Sequence, residues 1–367
     1  MNFNAAVLHQ TNTPLVVEQL SLSALKDRDV LVRIYASGLC HTDLEVIQGQ
    51  LPYPLPIVLG HEGCGIVEAV GSSVNHVRVG DRVVCSWNPF CGVCFYCQRD
   101  QPILCEPFTL NQPKGMLIDG QSRYSLGKTP VHHFSVVSSH AQYCIVPESG
   151  AIVVHQELPF NVGCLIGCGV MTGIGAALKI AKIAPGSNVV VIGAGAVGLN
   201  AIQGAALSQA DQIIAIDKDP QKLKLAKIMG ATHTLLAHEH VLQEVKDLTI
   251  GRGADVVFEC AGAEATIQLS LESTRTGGQL VILGKTAAHR NIAIRFGSLM
   301  GEKKIIRSSY GGARPFRDFP WIAQKYLEGK IKLDELIDEE VTLEQINYGF
   351  EKMKSSKGIR TVIKMSH

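Results

Sequence analysis

Four cysteines crowd one short stretch of the chain. Cys91, Cys94 and Cys97 stand three residues apart, and Cys105 follows after seven intervening residues. Four thiolates this close in sequence can close a tetrahedron around one zinc ion, and with every position filled by protein such a zinc is structural. On spacing alone an iron–sulfur cluster is a rival. A second group is dispersed. Cys40-His41-Thr42-Asp43 lies 21 residues ahead of Gly60-His61-Glu62-Gly63, and Cys168 sits far downstream between Gly167 and Gly169. Cys40, His61 and Cys168 offer two thiolates and one imidazole, which would hold zinc and leave a fourth position for water or substrate, as a catalytic zinc requires. Spacing supports this group less firmly, because single cysteines and histidines in such segments are more often core or surface residues. Cys164 lacks the flanking glycines of Cys168 and is read, with Cys64, Cys85, Cys144 and Cys260, as a small buried hydrophobe. His132 and His133 are placed in a loop or support position near a substrate pocket, and His9, His155, His238 and His240 at the surface.

A third group binds anions rather than metal. The apolar run Val189-Val190-Val191-Ile192 enters Gly193-Ala194-Gly195-Ala196-Val197-Gly198, which opens a helix, and a second strand ends at Asp217, nineteen residues past Gly198. Gly193, Gly195 and Gly198 permit a tight turn and close approach of backbone to a pyrophosphate, and the helix N-terminus offers unpaired N–H groups. Asp217 can accept hydrogen bonds from ribose hydroxyls and repels a 2′-phosphate, which favours NAD over NADP.

These groups need two kinds of scaffold. Residues 29–37, 63–70, 82–85 and 142–147 are β-rich and bounded by Gly, Pro or Ser, so the first half reads as a barrel-like unit of short strands. Pro52, Pro54 and Pro56 mark a stiff, extended loop. From about Gly167 strands alternate with helices: strands at 188–192, 212–217, 256–260, 280–283 and 305–309, helices at 196–208 and 220–229. That alternation implies a parallel, doubly wound α/β sheet. The tail from Phe319 is helical in pattern, ends in a strand at 360–364, and is expected to return to the first domain.

Composition sets the outer limits. The 367 residues exceed one ordinary core and imply two domains. Hydrophobic residues make up 46% and charged residues 18%, the balance of a globular chain. A net charge of +1 gives no support for a nucleic-acid or membrane-surface partner. No apolar run is read as reaching the roughly 18–20 residues of a membrane span, and the N-terminus shows no secretory pattern. A cytoplasmic location is therefore expected. Eleven cysteines in that setting read as metal ligands or buried hydrophobes more readily than as disulfides.

In combination these motifs, together with Gly358-Ile359-Arg360-Thr361-Val362 near the C-terminus, make the chain resemble the zinc-dependent medium-chain alcohol dehydrogenases over nearly its whole length. The resemblance implies a GroES-like catalytic domain from residues 1–169, completed by 309–367, around a Rossmann NAD-binding domain at 170–308. It implies two zinc ions per chain. Cys40, His61 and Cys168 would hold the catalytic one, with Glu62 just behind it and Asp43 orienting His61; Cys91, Cys94, Cys97 and Cys105 would hold the structural one. Thr42 would hydrogen-bond the alcohol oxygen. His41 and Arg360 would meet the cofactor pyrophosphate, Lys222 the adenosine ribose, and Thr172 and Val197 the nicotinamide. Leu51, Trp87, Leu110, Phe134 and Lys285 would line or adjoin the substrate pocket. Many relatives end a proton relay at a histidine five residues past the first ligand cysteine, whereas this chain has Glu45 there, so Glu45 or water takes that part.

The activity implied is reversible oxidation of a primary, allylic, benzylic or other alcohol to an aldehyde or ketone, by hydride transfer to NAD+ in a homodimer or homotetramer. Two alternatives stand beside it. A glutathione-dependent formaldehyde dehydrogenase would carry an acidic residue where this chain has Leu51 and an arginine near Thr109. A non-catalytic zinc- and nucleotide-binding protein would lack a ligand of the open site, and none is lacking.

Overall fold

The strand Asp29–Gly38 keeps its side chains almost entirely buried over ten residues, and in the computed structural model it is the spine of the first of two units. The structure describes residues 1–287, 290–355 and 358–367. Residues 1–168 and 314–367 make one unit and residues 169–313 the other.

In the first unit, Asp29–Gly38 pairs antiparallel with Glu62–Val70 along one edge. Its other edge takes Tyr143–Pro147 at its start and Arg360–Lys364 at its end. Arg82–Cys85, Ala151–Val153 and Ile337–Val341 complete this seven-stranded sheet. A smaller closed barrel joins Asn2–Leu8, Val16–Leu22, Tyr124–Leu126, Thr129–His133 and the two-residue strand Ile57–Val58. Val32, Ile34, Leu39, Val46, Leu59 and Phe134 belong to the buried core on which the sheet packs. The C-terminal strand therefore finishes a sheet begun in the first forty residues, and the Leu39 N–H donates to the Thr361 carbonyl at 3.0 Å, fixing the turn that carries Cys40.

The second unit is a six-stranded parallel sheet, ordered His233–Leu236, Gln212–Asp217, Asn188–Ile192, Ala254–Glu259, Thr274–Ile282, Lys304–Arg307. Val189, Val190 and Val191 are all buried, as expected of a strand covered on both faces. The order reverses at Asn188–Ile192, so the loop after that strand opens at a topological switch point, where doubly wound sheets bind ligands.

The chain passes from the first unit to the second within the helical segment 160–181. There Phe160–Leu165 and Met171–Gly175 are α-helical, while Ile166–Val170 and Ala176–Ala181 are π-helical turns. This segment corrects one expectation. Its 22 residues contain an 18-residue window of mean hydropathy 1.7, long and apolar enough to cross a membrane, but 72% of that window is buried inside the protein, which is the placement of a core helix.

Candidate metal centre and cofactor loop

Cys40 is the extended residue before the short helix His41–Ile47. Asp43, in the first turn of that helix, accepts the Cys40 N–H at Oδ2 (3.1 Å). At Oδ1 the same carboxylate accepts the Gly60 N–H (2.9 Å) and meets His61 Nδ1 at 3.3 Å. One buried carboxylate thus ties together the two segments that carry Cys40 and His61, and leaves Nε2 as the imidazole nitrogen for a metal. Cys168 sits in the π-helical turn Ile166–Val170, a distortion found often at functional sites. One ligand atom from each of Cys40, His61, Glu62 and Cys168 lies within 4.8 Å of all the others.

Without a dication this group is electrostatically awkward. The Cys168 thiol hydrogen-bonds Cys40 and drives its pKa well below the usual thiol value, helped by Arg360 and His61 against the cost of burial. Cys168 is pushed up in turn. Burial would pull His61 down, but the charges of Asp43 and Cys40 outweigh it and raise it. Burial pushes Glu62 up to about 8, against the opposing Arg360 charge. Neither buried carboxylate oxygen of Glu62 accepts a hydrogen bond, and the nearest cation, Arg360 Nη2, stands 3.5 Å from Oε1. Two thiols, one imidazole and an unsatisfied carboxylate are a donor set that zinc fits.

The second set is tighter in sequence. The sulfurs of Cys91, Cys94, Cys97 and Cys105 also lie within 4.8 Å of one another. Backbone N–H groups point at them: Cys91 N–H donates to Cys105 Sγ (3.3 Å) and Val93 N–H to Cys91 Sγ (3.5 Å). Burial opposes ionisation of Cys94, but the Cys97 and Glu106 backbone and the neighbouring thiols prevail and bring it down to about 6. Burial pushes Cys105 up to about 12. A four-sulfur cage with one ready thiolate is a nucleus for a tetrahedral metal.

In the second unit Gly193 has φ +97°, and a Cβ at Gly198 would collide with the Gly193 carbonyl oxygen. Only glycine closes this turn. A Cβ at Gly195 would meet nothing within 4 Å, so the backbone there faces open space. Gly195 caps the helix Ala196–Leu207 without a side-chain hydrogen bond, which leaves N–H donors for an anion. Asp217 Oδ2 accepts the Ala194 N–H (2.7 Å) and Oδ1 the Asp219 N–H (2.9 Å). The carboxylate is pinned at the strand end, and each oxygen keeps a lone pair for a ribose hydroxyl. The cradle fits a dinucleotide.

The remaining residues fall as follows. Thr42 is half-buried, its Oγ1 3.8 Å from Cys40 Sγ. Glu45 is half-buried on the same helix, and His41 is exposed at its start. Arg360 is buried, donates from Nη1 to the Leu39 carbonyl (3.2 Å) and faces Glu62, so its first partners are beside the metal ligands and not at an exposed anion site. Lys222 lies in the helix Pro220–Ile228, and Thr172, Val197 and Lys222 are half-buried. Phe134 is fully buried, edge-on to His61 at 5.5 Å and to Tyr53 at 5.0 Å. Leu51 and Trp87 pack partly buried on the same core. Leu110 does not join them. It is 62% exposed because the helix Glu106–Asn111 turns Phe108 inward, and a residue two positions on faces away. Lys285 is exposed in the second unit.

His133 is buried and accepts the Arg123 N–H at Nε2 (3.1 Å), a packing role within the small barrel. Sequence reasoning passed over His140, which is buried 3.9 Å from Asp43 and which burial brings down to about 4. Its one local signal is the apolar, strand-rich setting between Val136-Val137 and Tyr143-Cys144-Ile145.

Residues 26–156 match the alcohol dehydrogenase GroES-like domain, and residues 196–328 the zinc-binding dehydrogenase domain. The chain is 38% identical to S-(hydroxymethyl)glutathione dehydrogenase of Paracoccus denitrificans, covering 99% of this chain and 100% of that one. Among solved structures, an alcohol dehydrogenase zinc-binding domain protein from Burkholderia ambifaria superposes with TM-score 0.95 at 33% identity. Benzyl alcohol dehydrogenase from Acinetobacter calcoaceticus superposes with TM-score 0.94 at 30% identity. Both cover all of each chain. With two metal-ligand sets, a dinucleotide cradle and these full-length relatives, the chain belongs to the zinc-dependent medium-chain alcohol dehydrogenases.

Proposed function

We propose that this enzyme oxidises small, largely apolar primary alcohols, benzylic and allylic ones among them, to aldehydes with NAD. The observation that carries the reading is the apolar patch of partly buried Leu51, Tyr53, Leu55 and Trp87, backed by the fully buried Phe134, which meets both Tyr53 and His61 edge to face. Such a patch rewards apolar surface and offers a charged tripeptide little. The second reading, oxidation of S-(hydroxymethyl)glutathione, rests on the names of relatives at 36–38% identity. A survey of kcat/KM over ethanol, hexanol, benzyl alcohol, cyclohexanol and formaldehyde with glutathione separates them. Benzyl alcohol is expected to lead, and a higher value with formaldehyde and glutathione would reverse the assignment.

Bound zinc supplies Lewis acidity, and NAD the carbon that accepts hydride. Cys40, Cys168 and His61 would hold the metal and keep a fourth position for substrate, Glu62 would lie just behind it, and Asp43 orients His61. Thr42 Oγ1 accepts the hydrogen of the substrate hydroxyl, and Glu45, one helical turn on, offers the carboxylate where the proton leaves. Glu45→Gln is expected to lower alcohol oxidation by roughly tenfold near neutral pH, with partial rescue by small buffer bases. Thr42→Ala should cost about 10²–10⁴-fold, the full scale of positioned proton transfer. An unchanged pH–rate profile in Glu45→Gln, with no buffer rescue, would leave water as the acceptor.

Asp217 sets the cofactor preference. Its carboxylate, pinned by the Ala194 and Asp219 N–H groups, favours a ribose diol and repels a 2′-phosphate. Hydrogen bonds to a charged group are worth about 1.5–3 kcal/mol, so Asp217→Gly should lower kcat/KM for NAD by about ten- to a hundredfold and narrow the gap to NADP. Steady-state kinetics with both cofactors check this; a parent enzyme that works better with NADP would sink it.

Assembly is proposed to be a homodimer or a dimer of dimers through the second unit. The last strand, Lys304–Arg307, pairs on one side only among the described residues. Phe296 and Met300 nearby are 76% and 63% exposed. An unpaired edge beside apolar surface invites a second copy. Sedimentation of Ile305→Pro against the parent is the check: a smaller species is expected, and an unchanged one removes this edge from the interface. The cytoplasm is the inferred location, since all eleven cysteines are free and ten of them fall to metal sites or to a buried core.

A further inference from the structure

Asp43 has a neighbour besides the ligand it orients. His140 is fully buried, and its Nε2 stands 3.9 Å from Asp43 Oδ1, the oxygen that His61 Nδ1 also meets. His140 Nδ1 lies 3.0 Å from Ser37 Oγ, which lies 2.7 Å from Ser139 Oγ. Nε2 has no hydrogen-bond partner. The surroundings are built to this ring. Gly60 has φ +93°, and a Cβ there would stand 2.5 Å from the His140 backbone nitrogen and 2.6 Å from Nδ1. The backbone is locked as well, with Ser139 N–H donating to the Gly60 carbonyl (2.9 Å) and His140 N–H to the Leu59 carbonyl (3.0 Å). The same short segment carries His61.

The hydroxyl pair selects one tautomer of the neutral ring. If Nδ1–H donated to Ser37, Ser37 would donate to Ser139, the Ser139 hydrogen would be left over, and the bare Nε2 lone pair would face a carboxylate. If Ser139 donates to Ser37 and Ser37 to Nδ1, every hydroxyl hydrogen is used and Nε2–H faces Asp43. At 3.9 Å this is not a full hydrogen bond, but an N–H dipole aimed at a charge counts for more in a water-free interior than at a surface.

We propose that His140 is a positioning residue of the catalytic zinc site, which Ser37 and Ser139 fix as the Nε2–H tautomer so that it braces the Asp43 carboxylate against His61. The inference rests on the zinc reading of Cys40, His61 and Cys168, and it concerns how long the metal is kept. Groups that support a metal ligand from behind are typically worth about 10–100-fold in metal affinity.

The test is release of zinc to a chelator, followed with a metallochromic dye, for the parent and three variants. His140→Phe keeps an aromatic ring and removes the N–H; it should speed release of one zinc by about 10–100-fold and leave the other at the parental rate. His140→Gln places an amide N–H near the same point and should restore most of the retention. Ser37→Ala leaves the imidazole but frees its tautomer, and should accelerate release of that zinc by a smaller factor. Cobalt substituted at the catalytic site gives a second readout, with ligand-field bands that shift in His140→Phe. The proposal is overturned if His140→Phe keeps both zincs at parental rates with an unchanged cobalt spectrum. It is overturned equally if that variant loses both zincs together and Gln gives no rescue, since the ring would then be core packing alone. A parent holding fewer than two zincs would count against the zinc reading, not against His140.

Discussion

Cys168→Ser is expected to purify with one zinc per chain in place of two and to lose alcohol oxidation by about 10³-fold or more. The Lewis acid contributes several kcal/mol to such a reaction, and each 1.36 kcal/mol is a factor of ten. Serine cannot replace the ligand, because the thiolate is the soft donor and a serine hydroxyl stays protonated near neutral pH. Cys164 supplies the control. It lies four residues earlier in the same helical segment and is buried where Cys168 is half-buried, but its Sγ donates to the Asn161 carbonyl at 3.2 Å and it stands outside the set of converging ligand atoms. Cys164→Ser should keep both zincs and most of the activity. Elemental analysis beside kcat/KM decides the matter. Two zincs in Cys168→Ser, or loss of one in Cys164→Ser, would move the third ligand to the wrong cysteine.

That pair shows what could be read from sequence and why. The four-cysteine lobe is local, so its spacing already states its geometry. Cys168 was separable from Cys164 by flanking glycines and the family motif, not by any local geometry, because the ligands come together only when Asp29–Gly38, Glu62–Val70 and the helical segment pack. Strands such as Asn188–Ile192 and Gln212–Asp217 were legible as apolar runs ended by turn residues. The small barrel was not. Ile57–Val58 is two residues within a proline-rich stretch, and Val16–Leu22 is mostly half-buried, so neither shows a clear period. The 160–181 segment hid because five glycines between 163 and 175 and its π-turns blur a helical pattern. Leu110 is exposed and stands apart from the buried core: a resemblance transfers a position along the chain but not the direction in which its side chain turns. His140 was missed for another reason: Ser37 and Ser139 are 102 residues apart in sequence, and a histidine that needs both to be interpretable looks, alone, like any other.

Cys97→Ser should cost stability before it costs chemistry. The cysteine-rich lobe has almost no core of its own. Among its apolar residues Val93, Phe95 and Leu104 are exposed, and Cys105 is the cysteine of the four that is fully buried. Its regular structure amounts to the three-residue turns Cys97–Arg99 and Pro102–Leu104 ahead of the helix Glu106–Asn111. Segments of this kind cannot offset their conformational entropy by burial, so the metal must supply the difference. Structural zinc binds zinc-finger peptides with an apparent ~10–16 kcal/mol at neutral pH, and that binding energy is folding energy. Losing one ligand of four is expected to cost roughly 4 kcal/mol, the level at which a single substitution signals loss of a metal. At about 2–4 °C per kcal/mol for a domain of this size, Tm should fall by roughly 10 °C. The anchor on the other side of the lobe persists: Arg123 is buried in a paired contact with Asp29 (2.7 and 3.1 Å) and also holds Asp119 (2.8 Å), so the main sheet need not unravel with it. Below the new Tm, kcat/KM should therefore stay within severalfold of the parent while protease cuts concentrate between 91 and 105. Calorimetry, limited proteolysis and kinetics on one preparation test all three. A variant as heat-stable as the parent would show that the four thiols are not held by a structural zinc.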